Sequence, residues 1–294
     1  MTAPSGVLVV DKPSGPTSHD VVRQARRILG TPAVGHAGTL DPLASGVLLL
    51  LVGEGRKLSP YLSGSAKRYR ATVRLGRATS TLDALGATTE ERPVGPGHPD
   101  PVQLNAALEA ERLRTEQVPP THSALHVAGV RAYRLARSGV DWAPPARPVA
   151  VAALLLRDAR GGDLVVELDV SKGYYVRAFA RDLGERLGYP AHLAALTRLS
   201  SGAFTLAEAE PWPPAGRPRP LGVEDAAARC LPLLRLGPDG AARARAGRAL
   251  AGEHFEGRTP PPAGPSAWLD PRGKRVAVGA AAEGGGYRVL RGFR

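Results

Sequence analysis

Asp41, in the segment Gly35-His36-Ala37-Gly38-Thr39-Leu40-Asp41-Pro42, is the side chain best placed to do chemistry. Two glycines and a proline surround it and His36 in a stretch that cannot continue a helix or a central strand, so both side chains are free to point away from the core. Leu43-Ala44-Ser45-Gly46 and the aliphatic run Val47 to Val52 follow, anchoring the loop to a buried strand. A carboxylate fixed at a sheet edge or in a cleft can serve as nucleophile or base. Taken alone, Asp before Pro also opens an ordinary turn, and both readings stand at this point. A second candidate is Arg177, at the end of Ser171-Lys172-Gly173-Tyr174-Tyr175-Val176-Arg177, in the first turn of an expected helix. The macrodipole disfavours a cation there, so a carboxylate or phosphate partner is one reading and a solvated arginine the other.

The elements that must position these residues are legible in the pattern. Val7 to Val10 reads as a strand, closed by Asp11-Lys12-Pro13-Ser14-Gly15-Pro16. A helix capped by Thr17 or Ser18 follows, with Val21, Val22, Ala25, Ile28 and Leu29 inward and Gly30 and Pro32 ending it. Leu58 to Leu62 reads as a helical turn. Lys67 to Leu75 alternates, placing Tyr69, Ala71, Val73 and Leu75 on one face and Arg68, Arg70, Thr72 and Arg74 on the other; pattern alone makes Tyr69 a core residue. Thr88 to Arg92 is an expected strand, and Val102 to Arg114 an expected helix with Leu104, Ala107, Leu108 and Leu113 inward. Gln117 to His126 reads as extended and Tyr133 to Gly139 as a short basic helix. Together they form an insertion over about 117–147, read either as an arm that grips a partner or as a surface loop. Strands at Val149 to Leu156 and Leu164 to Val170 precede a helix with Val176, Phe179, Ala180, Leu183 and Leu187 spaced for burial, and His192 to Leu199 adds an apolar segment.

Pro211 to Pro220 is too proline-rich to be an element, and the domain boundary is placed there. Beyond it come a helix over Val223 to Leu231, an arginine-studded helix from Ala241 to Ala251, and strands at Ala267 to Leu269, Arg275 to Gly279 and Tyr287 to Leu290.

The chain has 294 residues, enough for one generous core and a small second domain. The aliphatic run Val47 to Val52 is far short of the roughly 20 residues that span a bilayer. No secretory signal is read in the first residues. A single cysteine, Cys230, permits no internal disulfide and no cysteine-based zinc site, which points to the cytoplasm. There is no internal repeat, P-loop, dinucleotide fingerprint or Cys/His metal spacing.

The formal charge is +12, and only five of the 39 basic residues are lysines. Arginine suits phosphate and stacks on bases, so the balance points to RNA or DNA, although GC-rich composition also enriches arginine. From Arg229 to Arg294 twelve basic residues face five acids, a surplus of seven in the tail that uniform bias does not favour.

In order along the chain, Gly6-Val7-Leu8-Val9-Val10-Asp11-Lys12-Pro13, Gly35 to Gly46, Lys67-Arg68-Tyr69, Ser171 to Arg177 and Leu196-Thr197-Arg198-Leu199 closely resemble the TruB-type bacterial tRNA pseudouridine-55 synthases. The likeness runs from about residue 6 to 210, and the Gly-His-x-Gly-Thr-Leu-Asp-Pro loop is its most specific part. It implies an α+β fold: a catalytic domain over residues 1–215, with a mixed, mainly antiparallel sheet flanked by helices, and a small basic β-rich domain over 222–294, similar to the PUA-type RNA-binding module. It implies an isomerase acting on a uridine of the tRNA T loop, without cofactor or metal, in the cytoplasm, as a monomer with no obligate protein partner. Carried onto this chain, Asp41 is the catalytic carboxylate, kept ionised by Arg177, and Tyr69 stacks on the flipped uracil and takes part in proton transfer. Tyr175 and Leu196 line the pocket, and His36 fills space vacated in the RNA. Two departures bear on RNA grip: Ser80 stands where the family often has aspartate, and His126 where lysine commonly follows Ser-Ala-Leu. A guide-RNA-dependent relative and a non-catalytic tRNA-binding or folding factor are the alternatives.

Overall fold

The computed structural model describes residues 4–121, 126–127, 130–131, 144–257 and 262–293. Its strands, in chain order, are β1 (Gly6–Lys12), β2 (Val34–Ala37), β3 (Ser45–Val52), β4 (Lys67–Leu75), β5 (Arg77–Thr79), β6 (Thr88–Glu91), β7 (Glu116–Gln117), β8 (His126–Val127), β9 (Val130–Arg131), β10 (Arg147–Pro148), β11 (Val151–Arg160), β12 (Asp163–Val170), β13 (Ala191–Ser201), β14 (Phe204–Thr205), β15 (Glu210–Pro211), β16 (Leu233–Arg235), β17 (Ser266–Leu269), β18 (Arg275–Ala281) and β19 (Tyr287–Gly292). The α-helices are α1 (Ser18–Leu29), α2 (Ser59–Ser63), α3 (Pro101–Arg112), α4 (Val176–Leu187), α5 (Val223–Ala228) and α6 (Pro238–Arg245).

A mixed, mainly antiparallel sheet runs β11-β12-β4-β13-β3-β1-β15, with β14 on β13 and β2 on β3. Its two halves have separate cores. On β4, β11, β12 and β13 one face is buried by α3 and α4, through residues such as Val73, Leu164, Phe179 and Leu183. Around β1 and β3 both faces are covered, by α1 through Val21, Val22 and Leu29 and by α2, the turn before it and α5 through Leu62, Leu58, Val223 and Ala226. This explains why β3 is aliphatic without a break from Val47 to Val52 while β4 alternates. The halves join where β13 runs parallel to β3 over two residue pairs, Thr197 with Ser45 and Arg198 with Gly46. Beyond those pairs β2 takes the same edge of β3, so a cleft opens at the join.

α1 begins with a reciprocal capping box between Thr17 and Asp20 and ends at left-handed Gly30, as expected from the sequence. α4 buries all five residues assigned to its inner face and ends at left-handed Gly188. A second, four-stranded sheet, β16-β17-β18-β19, closes over Trp268, Phe255 and Val276. It is docked on the first: Ala267 and Val278 share a core with Val7, Leu49 and Leu51, and Lys57 Nζ donates to the Gly292 carbonyl at 2.8 Å. The architecture is α+β with a small β-rich C-terminal unit.

Four local expectations are corrected. Val34–Ala37, read as loop, is a strand, because Gly35 and His36 find ladder partners in Leu51 and Leu50 of β3. Leu113 is exposed rather than inward, because α3 stops at Arg112 and the helical period no longer applies to it; buried Glu111 occupies the inner face instead. The arginine-studded helix is Pro238–Arg245, started by its proline and followed by left-handed Gly247. Pro211 is part of β15, and Trp212 after it is buried and donates from Nε1 to Gln24 at 2.7 Å, so this proline-rich stretch is fastened to the first sheet. The basic segment Tyr133 to Gly139, like residues 122–125, lies outside the described residues.

Candidate active site

The loop 38–44 enters the cleft between the two half-sheets, and nearly every turn of it is tied down. Gly38 adopts φ +82°, which a side-chain-bearing residue disfavours. Ser18 Oγ donates to the Leu40 carbonyl at 3.0 Å and accepts from the Leu40 amide at 2.8 Å. Ser14 Oγ donates to the Leu43 carbonyl and the Gly15 amide to the Pro42 carbonyl, at 2.9 and 2.8 Å. From β13, the buried Arg198 guanidinium donates to the carbonyls of Val47 and Gly38 at 2.7 and 3.0 Å. A loop whose carbonyls and amides are satisfied in this way holds its one acid in a fixed place.

Asp41 meets Arg177 there. Arg177 Nε donates to Asp41 Oδ2 at 2.8 Å and Nη1 to the Thr81 carbonyl at 2.9 Å. The arginine side chain is only 8% exposed, whereas that of Asp41 is 40% exposed. Among the described residues Asp41 Oδ1 takes no hydrogen bond, so the carboxylate is anchored through one oxygen and presents the other. Asp83, buried behind the pair, places Oδ2 3.8 Å from Arg177 Nε, and its Oδ1 accepts from Thr81 Oγ1 at 2.6 Å and the Leu85 amide at 3.1 Å. The cation at the start of α4 is thus offset by two carboxylates and a carbonyl.

Asp41 and Arg177 line a cavity of about 260 Å³ together with Tyr69, Tyr175 and Leu196. Lys67, Lys172 and Arg198 also line it, so four cations surround one acid and the hollow suits a phosphate-bearing ligand with a flat apolar part. Burial lowers the Lys67 ammonium to about 8, helped by Arg198 and Lys172, while Nζ donates to the carbonyls of Ser63 and Ser65. Lys12, fully buried beside the loop, is likewise lowered to about 8 by burial, against the raising influence of Asp41. His36 is not among the cavity residues: it sits half-buried on β2, its Nδ1 lacks a hydrogen-bond partner among the described residues, and burial lowers its pKa.

The structure adds Asp83, Lys67 and Arg198 to the site residues expected from the sequence. Lys67 had a signal, being in phase with Tyr69, Ala71 and Val73 on the inward face of β4, where a cation needs a reason. Cys230 offers no nucleophile, since burial raises its thiol to about 11. No group of three or more His, Cys, Asp or Glu side chains among the described residues could hold a metal ion.

A family model described as TruB family pseudouridylate synthase (N terminal domain) matches residues 26–176. The tRNA pseudouridine synthase B of Mycobacterium avium (strain 104) is 50% identical over 211 residues, covering 70% of this chain and 68% of the relative. That of Arthrobacter sp. (strain FB24) is 41% identical over 293 residues, covering 96% and 94%. Among solved structures, a chain in the crystal structure of a Cbf5-Nop10-Gar1 complex superposes with a TM-score of 0.74 at 23% identity, covering 99% of this chain and 86% of that one. At that identity the likeness speaks for the fold alone. With sequence and fold in agreement, the chain belongs to the TruB family of pseudouridylate synthases, which are isomerases.

Proposed function

We propose that this protein converts a T-loop uridine of tRNA to pseudouridine, the pseudouridine-55 reaction, with Asp41 as its catalytic carboxylate. The observation that carries the reading is the Asp41–Arg177 ion pair at the mouth of a cationic cavity walled by Tyr69, Tyr175 and Leu196. The reaction breaks the N-glycosidic bond, turns the uracil over and forms a carbon–carbon bond to the same sugar. It is an isomerisation, so atoms balance without a co-substrate, and the C-glycoside is the more stable product. The barrier is kinetic: uracil leaves as an anion and must be retained in a closed pocket.

In this account the target nucleotide is swung out of the loop at a cost of a few kcal/mol, and stacking on Tyr69 returns roughly 1 to 3 kcal/mol. Tyr69 also takes part in proton transfer, Tyr175 and Leu196 hold the ring, and the cationic lining holds flanking phosphates. Asp41 Oδ1 then reaches the reacting base or sugar while Oδ2 stays on Arg177. Attack on the base, attack on the sugar and removal of a sugar proton all use this carboxylate. His36, away from the cavity on β2, is assigned to filling space vacated in the RNA. The catalytic domain is assigned to residues 1–215 and a PUA-like RNA-binding domain to 222–294, the protein acting in the cytoplasm as a monomer without a protein partner or cofactor.

The test is to incubate purified protein, with nothing else added, with tRNA transcript and with a bare T-arm hairpin, and to map pseudouridine by position. Conversion of one T-loop uridine in both RNAs is expected. No conversion, or conversion only with an added guide RNA, contradicts the reading.

A further inference from the structure

The pocket wall that carries Tyr175 is held from outside the cavity by a residue with no part in the chemistry described so far. Gln117 is buried, in β7, and its side-chain amide spans the main chain of Tyr175: Oε1 accepts from the Tyr175 amide at 2.8 Å, and Nε2 donates to the Tyr175 carbonyl at 3.1 Å. Both bonds require the same orientation of the amide, so the pair is self-consistent. Tyr175 occupies the N-cap position of α4 and makes no side-chain cap, and Arg177 stands two residues further on. Fixing the Tyr175 backbone therefore fixes both a cavity wall and the start of the helix that delivers the guanidinium to Asp41.

The same turn is held at further points. β7 pairs with β10, Gln117 opposite Arg147. Just past β10, the Ser171 amide donates to the Ala150 carbonyl and Ser171 Oγ accepts from the Ala150 amide, at 2.9 and 2.8 Å. Beneath it, the buried carboxylate of Glu111 on α3 accepts from Tyr174 Oη at 2.8 Å. Gln117 is the member of this set that touches Tyr175 itself.

We infer that Gln117 is a positioning residue: through its two-point clasp on the Tyr175 backbone it sets the pocket wall and the placement of Arg177 on Asp41, and so governs the rate of the chemical step rather than RNA affinity. This rests on the isomerase reading above.

The experiment uses the full chain and measures single-turnover pseudouridine formation in a T-arm hairpin, together with RNA affinity, for wild type, Gln117→Ala and Gln117→Glu. Gln117→Ala is expected to slow the step about tenfold or more while affinity stays within about twofold. Gln117→Glu carries the sharper readout. An ionised carboxylate repels the Tyr175 carbonyl, whereas the protonated acid restores both a donor and an acceptor in the shape of the amide. Its rate relative to wild type should therefore rise as pH is lowered from about 8 to about 6, because burial beside a carbonyl raises a carboxyl pKa and outweighs the opposing pull of Arg114 and Arg181, whose guanidinium groups are engaged with the flanking Glu116 and Val118 carbonyls. Wild-type rates for both variants, or a Gln117→Glu deficit that stays constant with pH, overturn the inference. An inactive wild type instead overturns the proposed function, so the two failures are distinguishable.

Discussion

At the scale of single residues, Arg177 is held in a place where the helix macrodipole disfavours it, which is why its partners matter more than its charge. Its fork spans two acceptors in different directions, Asp41 Oδ2 through Nε and the Thr81 carbonyl through Nη1. An ammonium on a flexible stem keeps the charge and cannot keep both directions. Arg177→Lys is accordingly expected to fold and bind RNA but to slow single-turnover conversion about 10- to 100-fold; a rate within twofold of wild type contradicts the positioning role. The guanidinium was legible from the sequence as a cation in a first helical turn that calls for an anion. Asp83 and the Thr81 carbonyl were not, because what makes them partners is the path of a loop whose Leu82 has φ +62° and which is stitched to Leu193 by backbone bonds in both directions. No spacing rule encodes that.

At the scale of elements, β4 shows how an alternating strand serves two surfaces. Its inward face carries Lys67 and Tyr69 to the cavity, and its outward face carries Arg68 and Arg70 to Glu167 of β12, which also pairs with Arg157 of β11. Hydrogen bonds from Arg157, Arg70 and Arg68 lower the Glu167 carboxyl from 4.5 to about 2. The folded chain thus binds fewer protons than the unfolded chain across that window. The stabilisation is present in full above the unfolded value and is lost as pH falls through the folded one. Glu167→Gln should lower the melting temperature by a few degrees near neutral pH, with the gap to wild type closing as pH falls from about 5 toward about 2; a constant gap contradicts the clasp. The strands were readable here because period two and a one-sided core leave a clear pattern. β2 was not, since Gly35 and His36 carry no strand signal and pair only because β3 offers an unoccupied edge.

At the scale of the whole molecule, the site belongs to neither half-sheet alone. Asp41 precedes β3, Tyr69 lies on β4, Leu196 on β13 and Arg177 on α4, and they converge because β13 crosses from one half to the other. Composition made a nucleic-acid partner, RNA or DNA, legible through an arginine-rich surplus of positive charge, and the motifs singled out Asp41. The two-pair join between β13 and β3 that brings them together is a long-range event with no local signature. The cationic lining alone would serve a protein that only binds and folds tRNA, so binding must be separated from chemistry. Asp41→Asn does this, removing the charge while keeping the shape. The account predicts tRNA affinity within about threefold of wild type and single-turnover pseudouridine formation reduced by on the order of 10³-fold or more. A folded Asp41→Asn protein that converts the T-loop uridine at the wild-type rate contradicts it.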